Sequence, residues 1–368
     1  MAIRIPEHVQ RLRPYIPGKP IDEVQREFGL SEIVKLASNE NPLGPSPLAA
    51  AAIADFARFA SLYPDAANVD LKSRISERVG LPASQVCVSN GSDEMIHLLS
   101  NLLLEPGDNI VMGDPGFSRY ESEATAAQAI AIKVPLDEDA AHDLDKMLGA
   151  IDERTRIFWL ANPNNPTGTI VRKPEVDQLV GSLPDHVLLV LDEAYFEFAT
   201  VTSYPNSVDY IKAGKQVVGL RTFSKTYGLA GLRVGYAIGP EYIIDALERI
   251  RSPFNVNSLA QRAAMAALDD HEHLAKTIET NAIGVKRLTS FLRGQGFKVS
   301  ESFANFVWCD LGYPADDLCR QLLKRGIIIR PGAVFGQPNH VRVSVGTDEE
   351  LNRFETAWNE IAAETVRA

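Results

Sequence analysis

Short apolar runs alternate with segments of helical period along the first two thirds of the chain. QVCVS (85–89), NIVMGD (109–114), RIFWLANP (156–163), HVLLVLDEAY (186–195) and QVVGLRTFS (216–224) are dense in Val, Ile and Leu and lack the polar alternation of a half-exposed strand. They predict strands buried on both faces. Between them, SDEMIHLLSNLLL (92–104), PEVDQLVGSL (174–183) and VDYIKAG (208–214) repeat apolar positions at helical spacing. LAAAAIADFARFA (48–60) is broken by Asp55 and Arg58, which makes it an amphipathic helix rather than a membrane span. The pattern predicts an α/β architecture, a mostly parallel sheet sandwiched by helices.

The rhythm changes near Asn257. A long helical region runs to Gly294, and then FKVS (297–300), NFVWCDL (305–311), IIIRPG (327–332) and VRVSVG (341–346) alternate with helices at 316–326 and 349–364. This predicts a second, smaller α+β unit. The expected division is an N-terminal arm and small-domain segment over 1–45, a large domain over 46–256, and a small C-terminal domain over 257–368. The proline-rich NENPLGPSP (39–47) marks the loop into the large domain.

With 45% hydrophobic and 23% charged residues the chain has enough apolar material for one large core and one smaller one. A formal net charge of -11 argues against a broad nucleic-acid or anionic-membrane surface and leaves room for a local cationic pocket. The three cysteines, Cys87, Cys309 and Cys319, form no C-x-x-C pair, which suits a reducing compartment and no metal site. The start, MAIRIPEHVQRLRPY, places charges and prolines where a signal peptide has its apolar stretch. A cytoplasmic protein is expected.

In parallel sheets, chemistry collects beyond the carboxyl ends of strands. Three such ends carry unusual residues: VLLVLDEAY delivers Asp192 and Tyr195, FWLANPNNPTG delivers Asn165, and VVGLRTFSK delivers Thr222, Ser224 and Lys225. Each alone is an ordinary cap, turn or surface residue. Together they form a set. A lysine that condenses with a carbonyl needs a desolvated, partly cationic surrounding. A phosphate needs hydroxyls, an arginine and the N-terminus of a helix, which Ser224, Arg233 and the NGSDE turn at Ser92 and Asp93 can provide. The combination points to pyridoxal 5'-phosphate. Asp192 would then face the pyridine nitrogen, Tyr195 and Asn165 the ring's phenolic oxygen, and Phe117 of DPGFSRY the ring face.

NPNNPTG, LDEAY, FSKTYGLAGLRVGY and VRVSVGT resemble the motifs of fold-type I aminotransferases, in the subgroup of histidinol-phosphate aminotransferases. The likeness spans about nine-tenths of the chain, from KLASNENPLGPSP to VRVSVGTDEELNRF. It implies that Lys225 is the Schiff-base lysine, Asp192 the pyridinium partner, and Arg233, Ser224, Thr222 and the Ser92–Asp93 backbone the phosphate site. It also implies a homodimer in which Tyr63 reaches the neighbouring subunit's cofactor. Where the family often has a tyrosine this chain has Phe117, so stacking survives and a hydroxyl contact is lost.

For the substrate, the position of Arg342 grips an α-carboxylate in similar aminotransferases, and Arg330 adds a second cation. Two arginines suit the phosphate of histidinol phosphate and, in the second half-reaction of a ping-pong cycle, the carboxylates of 2-oxoglutarate. Tyr15, Asn39 and Asn41 of the SNENP region, and Asn305 would close over the imidazole. Aromatic amino acids remain an alternative donor class, since Phe117, Tyr15 and Phe335 could line an apolar pocket. A phospho-amino-acid decarboxylase shares every cofactor residue. G-x-G-x-x-G, P-loop and G-x-S-x-G motifs do not occur. A regulator with an aminotransferase-like domain would need a basic DNA-binding module ahead of it, where only about 30 residues stand.

Overall fold

Strands buried on both faces need helices on both sides, and the centre of the chain meets that requirement. The computed structural model describes residues 3–367 except 13 and 15–17, with side chains to residue 364, so Tyr15 lies outside the described residues. Among the described residues the strands are β1 (Val34–Leu36), β2 (Val86–Ser89), β3 (Asn109–Asp114), β4 (Ile130–Pro135), β5 (Thr155–Ala161), β6 (Leu188–Asp192), β7 (Val217–Thr222), β8 (Gly235–Ile238), β9 (Lys298–Val299), β10 (Phe306–Asp310), β11 (Ile327–Pro331) and β12 (His340–Ser344). Seven form one sheet in the order β2-β8-β7-β6-β5-β3-β4. Its β3, β4, β5, β6 and β7 pair in parallel, and β8 runs antiparallel to both its neighbours. This is the mostly parallel α/β sheet expected from the apolar runs.

Two strands of this sheet escape the hydrophobic pattern for opposite reasons. β4 is an edge strand with one fully buried position, Val134, and its apolar run, Ala129–Ile132, is short and ends at Lys133. β8 is four residues long and lies inside the glycine-rich segment. The central strands β6 and β7 are buried at every position. Helices pack on both faces: Met95, Ile96 and Leu99 meet Trp159 and Val190 on one, and Val176 and Leu179 meet Phe158 and Leu189 on the other.

The second sheet has the order β1-β11-β12-β10-β9. β1 joins it in parallel register, Val34 against Ile327 and Leu36 against Ile329, so a strand from the beginning of the chain is held by one from near its end. Leu288 and Leu292 of the helix His271–Gly294 and Phe354 and Trp358 of the helix Asp348–Arg367 cover its inner face with Val307, Val341 and Val343. The helix Ser258–Asp269 packs elsewhere: Ala260, Ala263, Ala264 and Ala267 enter the core of the large sheet beside Ala49, Leu71 and Ile75. We therefore propose that the two units divide at Asp270 rather than at 256/257. Its carboxylate accepts the His273 N–H at 3.1 Å and starts the next helix.

Candidate active site

β2, β5, β6 and β7 all end at one edge of the large sheet, and the antiparallel β8 begins there. That polarity explains how residues before β8 and residues after the other strands meet. Gly235, first in β8, is paired with Ser89 at the end of β2 and with Thr222 at the end of β7. A side chain there would have no room, since a Cβ would lie 2.6 Å from the Ser92 amide and 2.9 Å from the Arg221 carbonyl. The helix Gly91–Leu103 thus starts directly above the sheet edge.

Gly91, at φ 78°, completes this cup. A Cβ on it would lie 2.7 Å from Nη2 of Arg233, so the missing side chain is what admits the guanidinium to the helix start. The first amides of a helix have no partner within it and carry the positive end of its dipole. Ser92 and Asp93 present those amides, while the Asp93 carboxylate turns aside to Arg119 Nε at 2.8 Å. Arg233 Nη1 donates to Ser224 Oγ at 3.4 Å, and Thr222 Oγ1 accepts the Ser224 N–H at 3.1 Å. Amides, a hydroxyl pair and one arginine around a space that glycine keeps open fit a phosphate.

Asp192 ends β6, buried. Its Oδ1 accepts the Ala194 N–H at 3.1 Å and its Oδ2 accepts the Tyr120 hydroxyl at 2.6 Å. Burial pushes its carboxyl up to about 6 against the pull of these two donors, so without a cation beside it the group is close to neutralising. A protonated pyridine nitrogen is the kind of partner that reverses that balance. Phe117 lies at the start of the helix Ser118–Ala126, its ring edge-on to Tyr120 at 5.7 Å.

Lys225 follows β7 by three residues. Burial brings its amine down to about 8, with repulsion from Arg342 next in weight and Arg233 also contributing, while Glu40 and Asp192 pull the other way. Its Nζ donates to the Ser38 carbonyl at 3.4 Å and lies 5.7 Å from the centre of the Tyr195 ring. An amine in this state is neutral often enough near pH 7 to 8 to act as nucleophile and as base. The Tyr195 hydroxyl oxygen accepts from Asn39 Nδ2 at 2.8 Å.

The second sheet contributes the arginines. Arg330 on β11 and Arg342 on β12 are register partners, both buried. Arg342 donates to Asn165 Oδ1 at 2.5 Å and to the Ala37 carbonyl at 2.8 Å, which ties the NPNNPTG turn to the strand β1. Its guanidinium lies 5.1 Å from the Phe306 ring and 5.4 Å from that of Phe335.

The two asparagines of the SNENP loop part company. Asn39, at φ 55°, turns inward to Tyr195 and Ser344. Asn41 is spent on the loop itself: its amide donates to the Thr226 carbonyl at 2.9 Å and Thr277 Oγ1 at 3.2 Å, and its oxygen accepts the Leu43 N–H. These bonds fasten the loop to the segment after β7 and to the helix His271–Gly294. Asn305 Nδ2 donates to the Asn39 carbonyl at 3.0 Å and supports the same loop from the second sheet. Tyr63 stands apart, 83% exposed and stacked on Phe254 at 4.8 Å.

Sequence reasoning missed three participants. Tyr120 is one, although its place three residues after Phe117 on a helix was a signal that both rings share a face. Glu193 and Arg221 are the others, a buried ion pair at 2.9 Å next to the ends of β6 and β7. Their signal was an acidic and a basic residue at the ends of consecutive apolar runs. Ser207 and Asn206 complete their hydrogen bonds, as a buried pair requires.

The chain matches the family model for aminotransferase class I and II over residues 31–357. It is 46% identical to a histidinol-phosphate aminotransferase of Moorella thermoacetica over 97% of this chain and 92% of that protein. It is 44% identical to the one of Geobacillus thermodenitrificans over 96% of this chain and 97% of that protein. Among solved structures, the histidinol-phosphate aminotransferase of Sinorhizobium meliloti in complex with pyridoxal-5'-phosphate superimposes with a TM-score of 0.91 at 28% identity, covering 99% of both chains.

Proposed function

The chain belongs to the family of class I and II aminotransferases, and from that premise we propose that it transfers the amino group of histidinol phosphate to 2-oxoglutarate on pyridoxal 5'-phosphate. The observation that carries the donor assignment is the register pair Arg330 and Arg342, two buried cations side by side on one sheet, of which Arg342 reaches Asn165. A single α-carboxylate asks for one such fork, whereas a phosphate dianion or the carboxylates of 2-oxoglutarate use both. Alternation of two anionic substrates on the same arginines predicts ping-pong kinetics, imidazole acetol phosphate leaving before 2-oxoglutarate binds. The relatives named histidinol-phosphate aminotransferase support the same substrate pair.

When bound, pyridoxal phosphate supplies an aldehyde for the amino group and a protonated ring that accepts the electrons released at the substrate carbon. The protein's own residues do the rest. The cup of Ser92, Asp93, Thr222, Ser224 and Arg233 holds the phosphate by amides, hydroxyls and one cation. Lys225 provides the amine that anchors the aldehyde and, once displaced, moves a proton at the substrate carbon as a neutral base and its conjugate acid. Asp192 holds a proton on the ring nitrogen. Tyr195 and Asn165 meet the ring's phenolic oxygen, and Phe117 covers the ring face. Asn39 and Asn305 position the loop that closes the imidazole end, a role Tyr15 would share.

We place the enzyme in the cytoplasm as a homodimer with shared sites. No helix among the described residues is long and apolar enough to cross a membrane. Tyr63 and its neighbour Leu62 are 83% and 64% exposed, and a partner subunit seated there would cover them. Comparing kcat/KM for histidinol phosphate and phenylalanine with 2-oxoglutarate tests the assignment. Arg330→Ala should raise KM for histidinol phosphate by roughly 10- to 100-fold, the loss of a charge-assisted contact, and barely alter KM for phenylalanine. Phenylalanine as the preferred donor of the unmodified enzyme would leave the reaction type and remove the substrate.

A further inference from the structure

Tyr120 touches two candidate cofactor contacts at once. Its hydroxyl donates to Asp192 Oδ2 at 2.6 Å, and its ring meets Phe117 edge-on at 5.7 Å. The ring itself is held flat against Trp159, 4.5 Å between centroids and 9° between planes, and is buried. The side chain thus has a fixed plane and a fixed direction for its O–H bond. A carboxylate held through one oxygen by this hydroxyl and through the other by the Ala194 amide cannot rotate without breaking one of them.

We propose that Tyr120 is a positioning residue that locks the Asp192 carboxylate toward the cofactor's ring nitrogen and the Phe117 ring toward its face. The proposal rests on Asp192 facing that nitrogen. Its physical basis is charge as well as direction. Hydrogen bonds donated to a carboxylate favour its ionised form, and here they oppose a desolvation that favours the neutral one. Burial and the neighbouring Asp192 charge push the Tyr120 phenol well above its ordinary range, so it stays a donor. Glu193 and Asp93 raise the Asp192 carboxyl further, while Lys225 lies on the opposite side of the charge balance, and Tyr120 is the strongest hydrogen-bond donor holding that carboxylate ionised.

The test uses the holoenzyme reconstituted with pyridoxal phosphate labelled with 15N in the ring. The ring-nitrogen chemical shift reports protonation directly and is read alongside cofactor affinity, kcat, KM and thermal unfolding for Tyr120→Phe, Asp192→Asn and the double variant. Phenylalanine keeps the stack on Trp159, so the fold is retained. Tyr120→Phe should move the nitrogen signal part of the way that Asp192→Asn moves it, weaken cofactor binding about tenfold, and lower kcat with little change in donor KM. In the Asp192→Asn background it should add nothing. An unchanged nitrogen signal in Tyr120→Phe, with only the unfolding temperature lowered, would make Tyr120 a packing residue and overturn the proposal. If Asp192→Asn itself leaves the signal in place, Asp192 does not face the nitrogen and the site reading falls with it.

Discussion

Replacing Gly91 with alanine should separate cofactor affinity from folding. The new Cβ would lie 2.7 Å from Arg233 Nη2 and 3.2 Å from Cζ, and reaching an ordinary contact near 3.4 Å requires a shift of about 0.7 Å. Helix and sheet edge are fixed by the Ser92–Gly235 approach, so the movable partner is the far end of the arginine. Two costs result. Holding alanine at φ 78° costs roughly 1–2 kcal/mol of stability in both cofactor-free and loaded protein. Moving the guanidinium out of its place against Ser224 weakens a charge-assisted phosphate contact worth about 1.5–3 kcal/mol, or roughly 10- to 100-fold in affinity. Titration of the cofactor-free variant with pyridoxal phosphate measures the second cost, and thermal unfolding without cofactor measures the first, as a fall of about 1–3 °C. The stabilisation added by cofactor should shrink at the same time. Affinity within twofold of the unmodified protein, with the unfolding temperature lowered, would show that Arg233 does not depend on the gap at Gly91 and refute the reasoning.

Lys225 should carry a measurable stability penalty when no cofactor is bound. Its folded pKa is about 8 against 10.5 for the free group, so between those values the unfolded chain holds more protons and stability rises with pH; the penalty is fully present below about 8. Lys225→Met should therefore abolish transamination yet stabilise the cofactor-free protein near pH 7 by up to roughly 3 kcal/mol, the gain fading towards pH 10.5. Urea unfolding at both pH values checks this, and an equal gain at each would contradict it. For the shared site, mixing inactive Tyr63→Ala and Lys225→Ala subunits should regain activity in heterodimers, each of which holds one site with both residues; verified heterodimers without activity would count against sharing.

How much of this was legible in the sequence depends on distance along the chain. Lys225, Asp192 and Asn165 could be picked out because each follows an apolar strand, and strand polarity alone gathers them at one edge. Tyr120 could not be linked to Asp192, since a contact across 72 positions leaves no local pattern. Asn39 and Asn41 are chemically identical and two residues apart, yet the left-handed turn at Asn39 sends their side chains to different neighbours. The helical period runs through Asp270 with only a cap to mark it, so no pattern in the sequence separates the helix Ser258–Asp269, whose alanines pack with the large sheet, from the helix that follows. The edge strand β4 offers only the short run Ala129–Ile132, because most of the strand is not buried and Lys133 interrupts it.

The pairing of β1 with β11 sets an order on the ribosome. Val34–Leu36 is made early, and Ile327–Ile329, its partner, follows nearly three hundred residues later, about 15–60 s at ordinary rates of synthesis. Every strand of the large sheet, and with them the phosphate cup, Asp192 and Lys225, has been translated before β11 exists. The loop from Ser38 to Pro42 is therefore among the first parts of the site to be synthesised; the partners of Asn41, Thr226 and Thr277, exist before β11 does, and only the ties made through β1 and through Asn39 and Ser344 wait for the last strands, so a nascent chain carries the complete floor of its catalytic pocket while one side of the wall above it is still unpaired.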